Sequence, residues 1–597
     1  MALKARSEME PQQQWDLTHI FQDRAAWEAA FQAVADRVEG VAAYRGTLGT
    51  AQGARAALDA YYALAEQAER VYLYAELTKA GDNGDQAAQA MQDRAMGLLV
   101  RLGAAASFLT PELAALPEET LRAYLQAECL APYRHGLADI IRGRAHVLSP
   151  EQEQMLALLA DAAQTPDNGF TMLSEVDMTF PEIEDEKGAL VQLTHGNYGV
   201  FRESRSRAVR KAAFEAYFGE FNKYINTFAA LYAGSVKLDG YFAQVRRHGS
   251  ALEQALFANA VPPAVYDNLI AAVRESFPAM ERYLALRKRA LGLAELHMYD
   301  LYCPMVEGVE ASYTLEEAKA LVKEALAPLG EGYAALLEKA FAGRWIDAYE
   351  NKGKTTGAFS CGVYGVHPYV LLNFTNTLDD VFTLAHELGH ALHSYQSDAA
   401  QAYANHDYAI FVAEVASTVN EALLTLHLLD TEQDPRRRAY YLNHFLEGFR
   451  TTLFRQTLFA EFEKEAHAMA QAGNPLTPEA LNALYRRLNE SYYAGAVVDP
   501  LQDMEWARIP HFYNAFYVYQ YATGFSAAVA IAARIRETGD ASGYLRFLAT
   551  GGSDYPIEEL KLAGVDLSGP ETVQSALRVF ARSVEELEGL LGTIGHL

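Results

Sequence analysis

Two histidines and one glutamate in the segment His386-Glu387-Leu388-Gly389-His390 have the residue types and spacing that metal-dependent hydrolysis requires. On a helix, positions i and i+4 lie one turn apart on one face, so both imidazoles can reach a single ion. Glu387 cannot easily bind the same ion, but its carboxylate can act as general base toward a water held there. The alternative is a pair of ordinary histidines on a helix. The arrangement predicts a zinc site with His386 and His390 as ligands and Glu387 as catalytic base.

A catalytic zinc site also needs a third protein ligand and one open position. In one subclass of zinc peptidases, a glycine and a third histidine follow at the positions held here by His393 and Gln396, so that extension is absent. A carboxylate from a later helix is then the expected third ligand. His393 lies on the same side of its helix as the first two histidines, and a fourth ligand would close the site. We expect His393 to support the ligands from behind or to be satisfied in the core.

The segment from Asp407 to Asp430 has the periodicity of a helix that can supply this carboxylate. We expect Glu414 to be the third zinc ligand and Glu421, two turns further on, to orient one of the histidines by a hydrogen bond. A stripe that faces solvent is the alternative. The polar residues of the stripe are Glu414, Ser417, Thr418, Glu421 and Thr425.

A second group of chemically useful residues lies in the tract from His511 to Gly524, which is dense in tyrosines. Tyr517 and Tyr521 are four residues apart, and on a helix they would share a face. Attack on a peptide carbonyl creates an oxyanion, which neutral donors such as a tyrosine hydroxyl or a histidine N–H stabilise. An aromatic core helix is the alternative for some of these residues, and Tyr519 is the one expected to be structural.

The metal motif requires a helix to hold it, and the preceding residues provide a start signal. Thr377 is a suitable N-cap, with Asp380 three residues later and acids in the first turn. We expect this helix to continue to about Ser394. Several glycines between positions 353 and 365 precede a strand-like segment at 369–374. A small β element therefore directly precedes the metal helix.

The rest of the chain is predicted to be mainly helical. Residues from about 20 to 165 have the pattern of successive amphipathic helices, among them 23–38 and 54–79. A β-hairpin is expected at 178–194 with its turn at 185–188, and long helices resume near residue 207. The hairpin divides an N-terminal helical region, 1–200, from a catalytic region, 201–597. A length of 597 residues suggests more than one lobe.

Composition narrows the classes of partner. A net charge of −27 and a pI near 5.0 disfavour nucleic-acid binding. Cys129, Cys303 and Cys361 are far apart and lack metal-site spacing, so free thiols in a reducing compartment are expected. No apolar leader is visible, and the most apolar run, 527–533, is too short to span a bilayer. We expect a cytoplasmic protein that binds neither nucleic acid nor membrane.

With these motifs the chain resembles the oligoendopeptidase F group of the thimet oligopeptidase family of zinc metallopeptidases. The resemblance rests on HELGHALHSY at the metal helix, FVAEVASTVNEALL after it, HFYNAFYVYQYATG near the end and WDLTHIF near the start. Together these segments are spread over nearly the whole chain.

The resemblance implies a mainly α, multi-helical, two-lobed clamshell with a deep central channel and one zinc ion on the channel floor. It implies that His386, His390 and Glu414 hold the zinc and that Glu387 is the base. His511, together with a downstream tyrosine, would stabilise the oxyanion and position the substrate.

Two parts of this transfer depend on further argument. The tyrosines of this tract stand in a different register from the thimet-type pattern, so Tyr517 and Tyr521 are chosen by helical geometry. In the family, the strand before the metal helix pairs with the substrate backbone. Here this points to the region from His367 to Asn373, with the glycine-rich loop beside it, and assigns His367, Tyr369 and Asn373 to substrate binding. Strand addition binds a peptide through its backbone and has little sequence preference, which suits an enzyme that degrades many different peptides.

The implied activity is that of a zinc-dependent endopeptidase that cuts internal bonds of short, unstructured peptides. One alternative is a helical zinc carboxypeptidase that uses the same motif to remove C-terminal residues; the late tyrosine-rich tract favours the endopeptidase. A non-catalytic peptide-binding protein on the same framework is the other alternative, but it would not need Glu387, which is retained. The oligomeric state is left open by the sequence.

Overall fold

The protein is predominantly helical, as its periodicity predicts. The computed structural model describes residues 3–306 and 312–597. The α-helices before residue 306 are α1 (Arg24–Ala35), α2 (Ala51–Gly81), α3 (Gln86–Ala106), α4 (Leu109–Ala115), α5 (Glu118–Gln126), α6 (Arg134–Gly143), α7 (Pro150–Ala163), α8 (Thr165–Thr171), α9 (His195–Glu203), α10 (Arg207–Lys223), α11 (Ile225–Val245), α12 (Ala251–Phe257), α13 (Pro263–Glu275) and α14 (Phe277–Ala290).

The helices after residue 312 include both segments expected to carry the metal site. Short 3₁₀ helices at Pro500–Arg508 and Pro510–Tyr513 interrupt the series. The α-helices are α15 (Leu315–Ala325), α16 (Glu331–Ala342), α17 (Leu378–Ala400), α18 (Ile410–Thr431), α19 (Pro435–Gly448), α20 (Arg455–Gln471), α21 (Pro478–Tyr492), α22 (Tyr519–Thr538), α23 (Ser542–Leu548), α24 (Pro556–Leu562) and α25 (Glu571–Thr593).

The predicted hairpin is present as strands β1 (Glu182–Glu184) and β2 (Leu190–Gln192), which pair antiparallel. Its turn forms because the carboxylate of Asp185 accepts the backbone N–H groups of Lys187 and Ala189. Gly188 adopts a φ of +76°, a conformation that glycine reaches without steric cost.

The small β element before the metal helix is a three-stranded sheet. Its strands are β3 (Ile346–Asp347), β4 (Phe359–Cys361) and β5 (Tyr369–Leu371), in the order β3-β5-β4. β5 pairs parallel with β3 and antiparallel with β4, so it is the central strand. Every residue of β5 is buried.

The described chain divides into two compact units, each built from three separate stretches. Unit 1 consists of Met1–Ala145, Ala311–His427 and Ile531–Val565; unit 2 consists of His146–Glu310, Leu428–Ala530 and Asp566–Leu597. The expected division at residue 200 coincides with none of the five boundaries between these stretches. The hairpin packs on α10 inside unit 2, so it is part of a compact unit instead of a border between two.

The core of unit 1 joins its N-terminal helices to the β-sheet. Trp27 of α1 is almost fully buried and donates its indole N–H to the carbonyl of Val71 in α2. The same apolar cluster includes Tyr369 and Leu371 of β5, so the sheet before the metal helix is anchored on the N-terminal helices. Each large apolar side chain that is fully buried in this way stabilises the fold by about 1.5–3 kcal/mol.

One stretch within the described residues, Gln86–Ala115, is long and apolar enough to cross a membrane by length and composition alone. This stretch was not expected from the sequence. Its residues Leu98, Leu102, Leu109 and Leu113 are buried in the core of unit 1, where α3 packs along α2. Core helices of water-exposed proteins pass the same test, so the stretch is weak evidence for a membrane span.

Candidate active site

Helix α17 begins where its cap was expected. The Thr377 hydroxyl accepts the N–H of Asp380, and the Asp380 carboxylate accepts the N–H of Thr377, so each residue satisfies the other. The helix runs to Ala400, six residues beyond the expected end. His386, Glu387 and His390 therefore lie well inside a regular helix.

Helices α17 and α18 touch backbone to backbone at Gly389. A Cβ at this position would lie 2.5 Å from Cα of Ser417 and 2.7 Å from the carbonyl oxygen of Ala416, distances that real Cβ atoms do not show. Asn420 of α18 also donates its side-chain N–H to the carbonyl of Ala385 in α17. The glycine of the motif therefore sets how closely the two helices approach.

This approach brings together the three predicted metal ligands, His386, His390 and Glu414. The two Nε2 atoms are 3.2 Å apart, and Oε2 of Glu414 lies 3.5 Å from Nε2 of His386 and 3.6 Å from Nε2 of His390. Two atoms bound at 2.0–2.1 Å to one tetrahedral zinc ion stand about 3.3 Å apart. The triangle of donor atoms therefore fits zinc in both size and chemistry.

The charge state of the cluster also suits a cation. A hydrogen bond to His390 and the charge of that ring lower the pKa of Glu414 to about 2, although burial acts in the opposite direction. This carboxylate is therefore ionised at neutral pH. Ser417 adds a hydrogen bond of 3.2 Å to Oε2 of Glu414. Ser417 is fully buried and Thr425 nearly so, and Glu414, Thr418 and Glu421 are only partly exposed, so no residue of the stripe faces solvent fully.

Glu421 orients His386. Its Oε1 accepts a hydrogen bond from Nδ1 of His386, which leaves Nε2 of the same ring as the ligand atom. Burial opposes protonation of His386, but the hydrogen bond and the charge of Glu421 outweigh it and raise the pKa of the ring. Glu421 thus occupies the place expected for it.

Glu387 lies beside the cluster and is 7% exposed. Burial raises the pKa of its carboxyl group, against the opposing effect of His386 and His390. A partly desolvated carboxylate next to an ion site is a stronger base than one in water. This is the environment that a general base requires.

His393 does not support the ligands by a hydrogen bond. Its ring stacks on Tyr408 with centroids 3.6 Å apart, and neither of its nitrogens has a hydrogen-bond partner among the described residues. Complete burial lowers the pKa of His393 to about 3, so the ring is neutral. Of the two expectations for His393, support of the ligands by a hydrogen bond is wrong, and the ring lies in the aromatic core instead.

The three residues assigned to substrate binding have side chains that are used inside unit 1. The nitrogens of His367 contact the Pro368 carbonyl and the His19 ring, and the Tyr369 hydroxyl donates to the carbonyl of Asp16. Asn373 donates to two backbone carbonyls of the glycine-rich loop, those of Thr355 and Gly357. Because β5 is paired on both sides, its backbone cannot accept a further strand. The assignment of this strand to substrate binding is therefore wrong.

The edge strand of the same sheet is β4, which lies in the glycine-rich loop expected beside the substrate-binding region. All three of its residues are partly exposed. Gly362, directly after β4, meets α17 at Ser394, where a Cβ would lie 3.0 Å from the serine Cβ. Ser394 is one turn beyond His390, so β4 ends against the metal helix. The cluster of glycines at 353–365 was the available signal, because glycine permits such close approach.

In unit 2 the three residues expected to stabilise the oxyanion form one aromatic cluster. The hydroxyl of Tyr521 lies 3.4 Å from Nε2 of His511, and the Tyr517 ring is 5.5 Å from that of Tyr521 and 6.0 Å from that of His511. The helical geometry used to choose the tyrosines is wrong, because α22 begins at Tyr519 and Tyr517 precedes it. Tyr519 is buried, as expected of a structural residue.

The backbone before α22 is held by an acid that sequence reasoning missed. Phe516 has a φ of +58°, in the left-handed region, and its N–H donates to Oε1 of Glu463 at 3.0 Å. Glu463 is fully buried, which raises the pKa of its carboxyl group well above the usual range. This contact turns the chain so that Tyr517 meets His511 and Tyr521 without helical spacing.

Residues 200–579 match the profile of Peptidase family M3, and residues 112–180 match that of Oligopeptidase F. The chain belongs to peptidase family M3. It is similar to the oligopeptidase PepF of Bacillus subtilis, with 44% identity over 99% of this chain and 89% of the relative. It is also similar to the oligoendopeptidase F homolog of Lactococcus lactis, with 38% identity over the full length of both.

Solved structures agree with this placement in family M3. A putative peptidase from Chlamydophila abortus superposes with a TM-score of 0.94 at 36% identity, covering 98% of this chain and 100% of that one. An oligoendopeptidase-F from Enterococcus faecium superposes with a TM-score of 0.73 at 38% identity, covering 95% and 99%. The mainly helical fold and the metallopeptidase class predicted from the sequence are confirmed. The endopeptidase function agrees with the family, and neither the carboxypeptidase nor the non-catalytic alternative is favoured.

Proposed function

We propose that this member of family M3 is a zinc-dependent endopeptidase for short, unstructured peptides, with one zinc ion held by His386, His390 and Glu414. The observation that carries the proposal is the triangle of donor atoms, whose sides of 3.2–3.6 Å fit one tetrahedral ion. Two imidazoles and one carboxylate leave the fourth position of such an ion open for chemistry.

Zinc, when bound, supplies a Lewis acid that polarises the scissile carbonyl and favours deprotonation of a water. The chain supplies the proton transfers. A carboxylate oxygen of Glu387 accepts a proton from the attacking water and then delivers it to the leaving nitrogen of the peptide. Glu421 keeps the Nδ1 proton of His386 in place throughout, so Nε2 remains directed at the ion.

His511, Tyr517 and Tyr521 are proposed to act on the oxyanion and on substrate position. Their mutual contacts support the assignment, since the hydroxyl of Tyr521 and Nε2 of His511 lie 3.4 Å apart and each can donate one hydrogen bond. Neutral donors of this kind stabilise the negative charge that develops on the oxyanion, and they add to the stabilisation that a metal ion gives.

Peptide backbone is proposed to add to the edge strand β4. This strand offers unpaired N–H and C=O groups on one side and abuts α17 one turn beyond His390. Backbone pairing of this type is independent of side-chain identity, which suits cleavage of many short peptides. We therefore place the substrate contacts at the partly exposed β4 instead of at the buried β5.

We further propose that the enzyme works in the cytoplasm on peptides and does not bind nucleic acid or membrane. Cys129, Cys303 and Cys361 are all free thiols, as in a reducing compartment. The net charge of −27 disfavours contact with phosphate backbones or anionic lipid surfaces.

The variant Glu387→Gln tests the catalytic assignment. It keeps the shape of the side chain and all three ligands, so the zinc content should stay at one ion per chain. Peptide cleavage should fall by about 10²–10⁴-fold, the range that general-base catalysis contributes. Zinc analysis and hydrolysis of a fluorogenic peptide measure both quantities. Asp379→Asn, which alters an exposed acid on the same helix, is the matched control; cleavage by Glu387→Gln at the control's rate would refute the assignment.

A further inference from the structure

Unit 2 contains a cavity of about 20 Å³ that is lined by guanidinium groups and phenols. Tyr302 forms one wall between two arginines: the guanidinium carbon of Arg202 lies 3.8 Å from the ring centroid and that of Arg450 lies 4.3 Å away. Arg455 and Tyr493 also line the cavity. These side chains belong to neither the metal cluster nor the His511 group.

The arginines around this cavity outnumber their acidic partners. Arg287 and Arg450 share Glu447, with contacts of 2.8 and 2.6 Å. Arg455 and Arg508 share Glu505 in the same way, at 2.6 and 3.7 Å.

Arg202 forms no ion pair with any acid in the described part of the chain. The cavity lining itself holds three guanidinium groups, those of Arg202, Arg450 and Arg455, and one carboxylate, that of Glu505. Together with Arg287, Arg508 and Glu447, which lie outside the lining, the described group has five guanidinium charges and two carboxylates. Buried positive charge that lacks a counter-charge is costly in a low-dielectric interior.

Two polar atoms at the cavity lack partners. Within residues 3–306 and 312–597, the buried hydroxyl of Tyr493 and the buried Nε of Arg202 have no hydrogen-bond partner. Tyr493 as a whole is only 2% exposed. Burial alone would raise the pKa of the Tyr302 phenol, but Arg455, Arg202 and Arg450 outweigh it and lower that pKa to about 7. An O–H donor, excess positive charge and an empty volume thus coincide at one place.

We propose that this cavity binds one small monovalent anion, of the size and charge of chloride, as a structural counter-ion within unit 2. The volume exceeds the 10–15 Å³ that about one water-sized particle requires, and it is too small for a peptide carboxylate with its chain. Guanidinium N–H groups and the Tyr493 hydroxyl are donors that a spherical anion accepts from several directions. A neutral water would satisfy the hydroxyl but leave the charge uncompensated.

Bromide, which has the same charge as chloride and scatters anomalously, is the direct probe. Crystals of the full-length protein soaked in sodium bromide should show one anomalous peak within the cavity, between Arg202, Arg450 and Tyr493. The proposal is overturned if the cavity shows no peak under conditions in which bromide occupies surface positions.

A solution experiment examines the same site without peptide substrate. Thermal midpoints are measured in sodium chloride and in sodium gluconate at equal ionic strength. The wild type should gain midpoint temperature with a saturable dependence on chloride. Arg202→Gln removes the guanidinium that has no acidic partner, and Tyr493→Phe removes only the hydroxyl. The apparent chloride affinity of each should be about tenfold weaker or more, as loss of a hydrogen bond to a charged group predicts.

The matched control is Arg487→Gln, which removes an exposed arginine of α21 that pairs with Glu465. It should keep the wild-type chloride response. An equal response in Arg202→Gln and in this control would overturn the proposal. So would a tyrosinate absorption at neutral pH that disappears in Tyr302→Phe, together with an empty cavity, because the phenolate would then supply the missing negative charge.

Discussion

Replacing Gly389 by alanine adds one methyl group at the contact between α17 and α18. The new Cβ would lie 2.5 Å from Cα of Ser417, whereas ordinary van der Waals contact begins at 3.4 Å. The two backbones must therefore separate by about 1 Å, since neither contacting atom is the end of a flexible side chain.

The displacement reaches the third ligand. Glu414 precedes Ser417 by one turn of α18, and the Ser417 hydroxyl bonds both the carbonyl and the carboxylate of Glu414. Metal–ligand distances tolerate deviations of about 0.2 Å. We therefore expect Gly389→Ala to weaken zinc binding by about tenfold or more, to lower peptidase activity by about 10²-fold, and to cost about 1–3 kcal/mol of stability through overpacking.

Zinc affinity measured by competition with a fluorescent chelator, together with the thermal midpoint and the cleavage rate, gives all three quantities. Gly97→Ala is the control, because a Cβ at Gly97 of α3 meets nothing within 4 Å. That substitution should be neutral or slightly stabilising, as alanine favours helices over glycine by about 1 kcal/mol. If Gly389→Ala binds zinc and cleaves peptide as well as Gly97→Ala, the close helix contact does not position Glu414.

Two further predictions concern acidic residues of unit 1. Glu421→Gln should keep the zinc site but weaken its affinity by about 10–100-fold, because the amide orients His386 less strongly; unchanged zinc competition would contradict this. Burial raises the pKa of the Glu559 carboxyl group from 4.5 to about 8. Between pH 4.5 and about pH 8 the folded chain therefore holds one proton more than the unfolded chain, so the stability of the fold falls as the pH rises through this range. Glu559→Gln should therefore raise the thermal midpoint relative to wild type at pH 8.5 but not at pH 4.5; an equal difference at both pH values would refute it.

Much of the metal centre could be predicted from short-range patterns in the sequence. His386 and His390 at helical spacing, the Thr377 cap and the polar stripe of α18 depend on local geometry, and each has its expected place in the fold. Gly389 permits the close approach of α17 and α18. The triangle of donor atoms depends on how α17 and α18 cross, and the spacing of residues along the sequence does not determine that crossing.

The errors arise where long-range pairing decides the outcome. A strand such as β5 has the same sequence pattern whether it lies at the centre or at the edge of a sheet, so the edge strand could not be identified before the order β3-β5-β4 was known. His393 was placed by helical phase alone, without Tyr408, which stacks on it. Helical spacing selected Tyr517 although the left-handed Phe516, held by Glu463, precedes the helix.

Mass spectrometry of digests tests the central claim most directly. A ladder of peptides of increasing length, each with a free and with an amidated C-terminus, is incubated with the enzyme in the presence and absence of a zinc chelator. A zinc endopeptidase should make internal cuts in short peptides, cut free and amidated forms alike, and stop when the chelator is present. Release of single residues from free C-termini only, or cuts that persist without metal, would contradict the assignment of this site.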